Sequence, residues 1–384
     1  MYKILLLIDL SEQYGRSLMQ GMVRYSNEHG PWVFCKMPIY FREKHGVKGV
    51  LKWARDWGAN GIVAALESEA GASQIVASGI PVIAQDYKER FTNIPNITGN
   101  YHETGKMAAR YFLSRGYRHF AFYGFGDIVW SRERAQGFEW QVRDAGYQVQ
   151  YFESKKKGTH DLWYYKPSPL SAWLKSLPSN VALMACDDNQ GHHILEACKI
   201  AGIRVPDDMA VLGVDNDELV CHLTEPSMSS IALDTERGGY EAARLLEHMI
   251  IHRVQNPGNI IIRPTAIVTR HSTDILATDD KMIANALKYI HQHIELNPGV
   301  KEVLAQIPLS RRALEIRFRN ATGLPIYKYI QALRLEKFSN QLLVSESSIM
   351  DIAIGLGLGD NKNISRAFRK LKGCSPAEYR RRNQ

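Results

Sequence analysis

Acidic and amide side chains recur directly after short apolar runs in the first 270 residues. Carboxylates, amides and an arginine that converge on one cleft suit a neutral polyol, because Asp and Asn can hydrogen-bond vicinal hydroxyls in pairs. An aromatic side chain such as Trp130 can cover the apolar face of a sugar ring. An aspartate after a strand is just as commonly a helix N-cap or turn former, so no single residue decides between the two roles. These polar segments are residues 9–12, 85–86, 124–127, 186–189 and 214–217.

The last hundred residues carry a second set of chemically useful side chains, and these are mostly basic. Leu314 and Phe318 correspond to Ile364 and Phe368 at a period of 50 residues. Each apolar pair is spaced by four and predicts the buried side of a helix, which leaves the basic residues on its other faces. Arg and Lys neutralise phosphates and bond guanine edges, while Asn pairs with adenine. The candidates for DNA contact are Ser310, Arg311, Arg312, Glu315, Arg317, Asn361, Lys362, Asn363, Arg366 and Arg369.

The net charge of +8 is divided unevenly along the chain. Residues 1–279 hold 30 Lys and Arg against 31 Asp and Glu, a net charge of −1. Residues 280–384 hold 18 against 9, a net charge of +9. This asymmetry indicates a C-terminal module that faces a polyanion, although a solvated basic face would give the same count.

Strand-like and helix-like segments alternate through the first 270 residues and must position the polar side chains. Buried apolar strands between amphipathic helices predict parallel sheets wound through βαβ units, with a ligand beyond the carboxyl ends of the strands. Two α/β lobes fit the length, and the chain is expected to cross between them near residues 99–105 and 228–236. The predicted strands are 3–8, 61–65, 81–84, 119–123, 181–185 and 210–213, and the predicted helices are 15–27, 103–115, 132–145 and 189–201.

Helical periodicity takes over near residue 283, and the repeat then predicts two helix-turn-helix copies. A helix around 334–343 joins them, so the two copies can enter successive major grooves about 34 Å apart. We expect a sensor domain at 1–273, a linker at 274–281 and an all-α reader at 282–384. The predicted helices are 300–307 and 310–320 in the first copy, and 349–356 and 361–371 in the second, with turns at 308–309 and 357–360.

Several protein classes are disfavoured by the sequence. No apolar run approaches the ~20 residues of a membrane span, and the run at 4–8 is too short for a signal peptide. The five cysteines form no Cys-x-x-Cys pair, which argues against a disulfide framework or zinc site and for a reducing cytoplasm. No P-loop, G-x-S-x-G or H-E-x-x-H motif supports an enzyme. We expect no catalytic residue, no metal and no cofactor.

Three segments of the sensor resemble the LacI/GalR repressors. They are Ser131-Arg-Glu-Arg134-Ala-Gln-Gly137-Phe138, Ala185-Cys-Asp187-Asp-Asn189 and Val205-Pro-Asp-Asp-Met-Ala-Val-Leu-Gly-Val-Asp215-Asn216, together with the exit Arg270-His-Ser272-Thr273. The resemblance implies a periplasmic-binding-protein-like fold with an effector between its lobes. That family carries its DNA reader before the sensor, whereas this chain begins at the first sensor strand, so DNA reading is expected elsewhere. The ligand-contacting candidates are Tyr14, Arg16, Asp86, Trp130, Arg134, Asp187, Asn189 and Asp215.

The C-terminal segments resemble the AraC/XylS DNA-binding domain. The matching elements are Leu309-Ser-Arg-Arg-Ala-Leu-Glu-Ile-Arg-Phe318, Arg334-Leu335, Asp351-Ile-Ala353, Ser365-Arg-Ala-Phe-Arg-Lys and Gly373-Cys-Ser-Pro-Ala-Glu-Tyr-Arg380. In the first copy Leu304 and Pro308 replace the small residue and glycine usual in the turn, so the second copy is the better-formed reader. A LacI-like sensor fused to an AraC-like reader resembles one narrow group, the xylose operon regulators of enteric bacteria.

These features together predict a sugar-responsive transcription regulator, an activator that works as a homodimer on operator DNA with RNA polymerase. The resemblance points to a pentose, D-xylose first, while arabinose or another aldose stays open. A repressor that responds to a different aldose is the nearest alternative. An enzyme on an α/β fold and a sugar-binding transport protein are more distant alternatives, and neither explains a basic helical tail.

Overall fold

Two six-stranded sheets form the first 270 residues of the computed structural model, and a helical domain follows them. The structure describes residues 1–66, 68–154, 164–254, 257–274, 280–296, 298–345, 347–358, 361–372 and 374–383. Side chains at 39, 336, 340, 343–344, 361–363, 370–372 and 382–383 lie outside that description.

The strands and helices alternate along the sensor as the βαβ pattern predicts. The strands are β1 (Lys3–Leu7), β2 (Val33–Lys36), β3 (Gly61–Ala65), β4 (Val82–Gln85), β5 (Asn96–Gly99), β6 (His119–Phe125), β7 (Val149–Ser154), β8 (Val181–Ala185), β9 (Met209–Val214), β10 (Ser229–Leu233), β11 (Ile260–Ile262) and β12 (Pro264–Val268). The helices are α1 (Gln13–His29), α2 (Ile39–Trp57), α3 (Glu69–Val76), α4 (Tyr101–Ser114), α5 (Val129–Asp144), α6 (Pro167–Ser176), α7 (Asp188–Ala201), α8 (Glu218–Leu223) and α9 (Thr235–His252).

The two sheets define two lobes that share one strand order. Lobe 1 has the order β2-β1-β3-β4-β5-β11, and lobe 2 has the order β7-β6-β8-β9-β10-β12. Among the described strand pairs only β10 and β12 run antiparallel. The predicted fold class is therefore confirmed, and the predicted strands lie within one residue or two of the observed ones.

Each sheet is covered by helices on both faces, which explains why its strands are apolar throughout. In β1, Ile4 and Leu6 pack against side chains of α1 and α9. Leu5 and Leu7 point the other way and pack against α2 and α3. The two-residue period of a strand thus divides one apolar run between two cores.

The chain passes between the lobes three times. The first two crossings, after β5 and after β10, fall where the sequence predicted them. The third joins β11 to β12 at Arg263 and was not predicted, because β11 has only three residues and its partner β5 is distant in sequence. The Asn100 amide donates to the Ile262 carbonyl at 2.7 Å and the Asp234 amide to the Arg263 carbonyl at 3.0 Å, so the three crossings lie side by side.

The helical domain consists of two small cores on either side of one long helix. Its helices are α10 (Lys281–Gln292), α11 (Val300–Ala305), α12 (Arg311–Thr322), α13 (Ile326–Val344), α14 (Ile349–Gly355), α15 (Asn361–Lys372) and α16 (Pro376–Asn383). One core surrounds Leu314 and Phe318, and the other surrounds Phe338 and Phe368. Both predicted helix-turn-helix copies are present. Residues 275–279 of the predicted linker and 359–360 of the second turn lie outside the described residues, and Asp280 already caps α10.

Candidate functional site

The strand ends of the two lobes meet in a cleft that is lined by charged and aromatic side chains. Tyr14, on the first turn of α1, interacts electrostatically with Asp86 of lobe 1 and with Asp215 and Arg134 of lobe 2. This arrangement is the one expected for ligands beyond the carboxyl ends of parallel strands. The lining residues are Glu12, Tyr14 and Asp86 from lobe 1, and Tyr101, Trp130, Arg134, Asp187 and Asp215 from the segment that forms lobe 2.

Arg134 is the central cation of the cleft and is only 3% exposed. Its Nη1 donates to the Cys186 carbonyl at 2.5 Å and its Nη2 to Asp215 Oδ1 at 3.2 Å. The rings of Tyr101 and Trp130 each lie 5.4 Å from its Cζ. Burial opposes the charge of Arg134, but Asp215 and the other neighbours outweigh it and raise the pKa. Its Nε is buried and has no hydrogen-bond partner among the described residues.

A close approach of two helices fixes the position of Arg134. A Cβ atom at Gly105 of α4 would lie 2.0 Å from the Arg134 carbonyl oxygen. A Cβ atom at Gly137 of α5 would lie 2.1 Å from the His102 carbonyl oxygen. Only glycine fits at both positions, and the backbones of α4 and α5 therefore hold the arginine at the floor of the cleft.

Asp215 stands on a backbone turn that few residues adopt. Its φ is 100° and that of Asn216 is 51°, both in the left-handed region that disfavours side chains other than glycine. Asp188 stabilises the turn, because one carboxylate oxygen accepts from the Asp217 amide at 2.7 Å and the other from Ser230 Oγ at 2.6 Å. The strained turn aims the Asp215 carboxylate at Arg134.

The carboxylates of Asp187 and Asp86 lie beside the cleft, and each also accepts hydrogen bonds from other protein groups. Asp187 Oδ1 accepts from the Gln190 amide at 2.7 Å and caps α7, and burial raises the pKa of Asp187 to about 6. Asp86 accepts from Thr98 Oγ1 at 2.6 Å and from the Tyr101 hydroxyl at 2.8 Å. Burial also raises the pKa of Asp86 to about 6. Both carboxylates therefore position neighbouring groups as well as lining the site.

Glu12 and Tyr101 belong to the cleft, but we did not predict them as site residues. Glu12 lies in the predicted polar segment 9–12, which was the available signal, whereas tyrosine after a strand carries no such signal. Glu12 keeps solvent contact at the cleft mouth, yet the protein atoms around its carboxyl group and nearby Asp187 raise its pKa to about 8. A carboxyl group in this state can donate as well as accept a hydrogen bond.

Direct bonds between the lobes involve two of the predicted ligand residues. Arg16 Nη2 pairs with Asp217 Oδ2 at 3.1 Å, across the cleft from α1 to the loop before α8. Asn189 Nδ2 donates to Glu12 Oε1 at 3.2 Å. Arg16 is thus engaged by the protein, and we expect it to hold the lobes together rather than to contact the ligand first. At the other edge Arg90 forms two bonds of 2.5 Å with Glu133.

The first helix-turn-helix copy presents a half-exposed basic helix. Leu314 and Phe318 are fully buried, and Ser310 caps α12 by accepting from the Ala313 amide at 3.3 Å. Arg311 and Arg312 are exposed near the helix start, whereas Glu315 is half-buried. Arg317 forms two bonds of 2.6 Å with Asp280, the N-cap of α10. Arg317 thus pairs with the N-cap of α10 while its side chain stays 41% exposed, and its role in DNA contact stays a prediction.

The second copy presents exposed arginines on α15. Ile364 and Phe368 are buried as the repeat predicts, and Arg366 and Arg369 are exposed. The side chains of Asn361, Lys362 and Asn363, which are predicted to contact bases, are not among those that the structure describes. By the 50-residue period Arg366 corresponds to Ile316, which lies one helical turn beyond Arg312 on α12.

Comparison with protein-family models assigns a type to each part of the chain. Residues 109–273 match the periplasmic binding protein-like domain, and residues 304–382 match a helix-turn-helix domain. The relatives include the xylose operon regulatory proteins of Escherichia coli strain K12, 26% identical, and of Haemophilus influenzae, 28% identical. Each alignment covers 99% of this chain, with 97% and 98% of the respective relatives.

The chain is a homologue of the xylose operon regulators. These homologues are transcription regulators and not enzymes, and this chain is a regulator that joins a sugar-binding type of sensor to an AraC-type helix-turn-helix domain. The solved structure described as xylose-binding transcription activator xylR covers 100% of this chain and 98% of its own, with a TM-score of 0.61 at 24% identity. A LacI-type regulator from Alkaliphilus metalliredigens, in complex with D-xylulofuranose, covers 71% of this chain with a TM-score of 0.56 at 17% identity. Both support the fold.

The described part of the chain contains no helix with the length and apolar character of a membrane span. Within the same residues, no group of three or more His, Cys, Asp or Glu is arranged to hold a metal ion. The five cysteines are free thiols.

Proposed function

We propose that this chain is a sugar-responsive transcription activator whose effector is a pentose, D-xylose first. The buried Arg134 carries the proposal, because its unpartnered Nε lies among carboxylates and aromatic rings in a cleft between two lobes. A neutral polyol with several hydroxyl groups satisfies such a set, since each hydroxyl both donates and accepts. A charged ligand would have to displace the Arg134–Asp215 pair.

The predicted ligand residues, together with Glu12, divide into two roles in this proposal. Arg134, Asp187 and Asp215 bond the sugar hydroxyls from lobe 2, while Tyr14 and Glu12 approach from lobe 1. Trp130, half-buried and edge-on to Phe125, covers the apolar face of the ring. The bonds of Asp86, Arg16 and Asn189 to other protein groups give those residues a supporting role in lobe closure and loop position.

The reader is proposed to bind operator DNA through α12 and α15 as a homodimer in the cytoplasm, in contact with RNA polymerase. Arg311, Arg312, Arg366 and Arg369 are exposed on those helices, and residues 280–384 carry a net charge of +9. Exposed arginines suit phosphate and guanine contacts, and the charge gives long-range attraction to DNA. The sugar acts by its different affinity for the open and closed lobes.

Calorimetric titration with D-xylose, L-arabinose, D-ribose and D-glucose tests the effector. We expect D-xylose to bind most tightly, and an aldohexose that binds more tightly would overturn the pentose assignment. DNA binding is tested with a duplex selected from a random pool by the full-length protein. We expect a chain of residues 1–279 to lose that affinity, and retained affinity would refute a C-terminal reader.

A repressor that responds to a sugar remains the second candidate, because the sensor resembles repressors in sequence. In vitro transcription from a template that bears the selected duplex upstream of a promoter separates the two. We expect added sugar to increase transcript yield above that of polymerase alone. A repressor would instead lower the transcript yield in the absence of sugar, and added sugar would only restore the yield of polymerase alone.

A further inference from the structure

Hydrogen bonds, short backbone segments and one aromatic contact connect the cleft to the first helix-turn-helix copy. We infer that Asp274, His291 and Tyr329 form a positioning joint that holds the reader to lobe 2 and transmits the lobe movement to α12. This inference rests on the proposed function, since it concerns how a sugar-bound sensor changes DNA binding. It assigns roles to three residues outside both the cleft and the predicted DNA-contacting set.

The series begins at the strained turn that carries Asp215. The next residue, Asn216, accepts from Arg270 Nη2 at 2.9 Å through its Oδ1. The same guanidinium donates from Nη1 to the Met228 carbonyl at 3.0 Å. Because Arg270 begins the segment that leaves the sensor, a shift of the Asp215–Asn216 turn acts directly on that exit.

The exit segment is fastened inside lobe 2 by buried hydroxyl groups. Ser272 and Thr273 have no exposed surface. Ser272 Oγ donates to the Val211 carbonyl at 2.6 Å, and Thr273 Oγ1 lies 2.7 Å from both Ser229 Oγ and the Tyr111 hydroxyl. Bonds to buried groups of this kind resist slippage, since breaking one leaves a polar atom unsatisfied. The exit therefore moves as part of lobe 2.

The joint itself follows one residue later. Asp274 Oδ1 lies 2.6 Å from His291 Nδ1 on α10, and His291 Nε2 lies 2.8 Å from the Tyr329 hydroxyl on α13. A carboxylate oxygen accepts, so Nδ1 donates to it, and Nε2 is left to pair with the Tyr329 hydroxyl. His291 is 8% exposed, so both bonds are shielded from water and fix the ring in one orientation.

Tyr329 links the joint to the DNA-reading helix. Its ring meets Phe318 of α12 edge-on, with 5.5 Å between centroids, and Phe318 is fully buried. A second contact between sensor and reader, Lys288 to Asp207 at 3.7 Å, is half exposed and contributes little by comparison. The Asp274–His291–Tyr329 series, with His291 buried at its centre, thus has the geometry to set the reader angle.

Two conservative variants test the joint by a coupling measurement. We expect Tyr329→Phe and His291→Gln to lower the ratio of duplex affinities with and without D-xylose by about 3- to 10-fold, as loss of one buried hydrogen bond implies. The sugar affinity of the DNA-free protein should stay unchanged, because neither residue lines the cleft. His293→Gln, on the same helix end, and Lys288→Ala should keep the wild-type ratio.

A distance measurement provides a readout that does not depend on sugar. Spin labels on noncanonical amino acids at Asp144 of lobe 2 and Ala305 of the reader, both exposed, should give a narrow distribution in the full chain. His291→Gln should broaden it. If both variants keep the wild-type ratio of duplex affinities with and without D-xylose, the proposed joint is wrong and the proposed sugar response still stands. If D-xylose does not change the DNA affinity of the wild-type protein, the proposed function is refuted. The width of the spin-label distance distribution in His291→Gln then tests the joint by itself, and a distribution as narrow as that of the wild type would overturn it.

Discussion

The sensor cleft and the DNA reader both depend on charged side chains, but they hold them in opposite ways. In the cleft, Arg134 is buried and bonded to Asp215 and a carbonyl before any ligand arrives. In the reader, Arg312 and Arg366 are exposed and make no hydrogen bond or ion pair within the described residues. The cleft is therefore organised during folding, and its selectivity comes from fixed geometry. We propose that these reader arginines take their partners from DNA, and the affinity for DNA is then expected to fall steeply with salt.

Substitution of the buried cleft cation should have the largest effect. We expect Arg134→Ala to weaken D-xylose binding on the order of 100-fold or more, because it removes two fixed donors and leaves the half-buried Asp215 carboxylate without its guanidinium partner. Calorimetric titration measures the loss, and sugar-independent DNA affinity should remain. Arg134→Lys keeps the charge without the planar fork and should recover only part of the affinity. Sugar binding of normal strength in Arg134→Ala would place the ligand elsewhere.

Removal of an exposed reader arginine should have a smaller effect that depends on the DNA sequence. We expect Arg366→Ala to cost about 1–3 kcal/mol on the selected duplex if it contacts a base edge. Arg312→Ala should cost less, because the turn of the first copy departs from the usual pattern. Arg381→Ala, an exposed arginine on α16, controls for loss of charge alone. Equal losses on selected and random duplexes would make Arg366 a phosphate contact.

Glu12, at the acidic mouth of the cleft, should make the free energy of unfolding depend on pH. We expect a change of only about 1 kcal/mol, because contact with solvent weakens the electrostatic interactions of Glu12. Glu12 has a folded-state pKa near 8, above its ordinary 4.5, so the folded state binds this proton more tightly than the unfolded state. Its contribution is present below pH 4.5 and is lost as pH rises through 8. Glu12→Gln should thus gain stability relative to wild type between pH 5 and 9 in denaturant titrations. A constant difference would refute the raised pKa.

The exposed lobe-to-lobe ion pair should matter least. Arg16 is 37% exposed in its side chain and Asp217 is 11% exposed, so the pair stabilises closure by less than about 1 kcal/mol. We expect Arg16→Met to weaken D-xylose binding about 2- to 3-fold, with no change in sugar-free DNA affinity. A loss as large as that of Arg134→Ala would mean that Arg16 bonds the sugar itself.

Local signals in the sequence were sufficient for the fold class and for six of the twelve strands. The strands β3 and β8 match their predicted bounds, since apolar runs ended by polar residues need no distant information. Helix α7 ends at Gly202, whose φ of 73° suits glycine, as expected for a helix end. The short strand β11 was missed because its existence depends on pairing with β5, more than 150 residues away.

The candidate site was predictable in residue type but not in pairing. Strand-end position identified Asp187, Asp215 and the segment that holds Glu12. Nothing local indicates that Arg16 pairs with a residue 201 positions away, or that Arg317 reaches the cap of α10. A charged side chain takes the partner that tertiary structure offers, so its sequence neighbours cannot tell a ligand contact from an ion pair.

The three crossings between the lobes limit what the sensor can signal. They lie side by side and are bonded to one another, at Asn100 to Ile262 and at Asp234 to Arg263. Three chain segments that cross side by side allow the lobes to bend about the line that joins the segments, and they resist a twist of one lobe relative to the other. We therefore expect the lobes to open and close about one axis. The sensor then signals its effector through that hinge movement rather than through a twist of one lobe against the other.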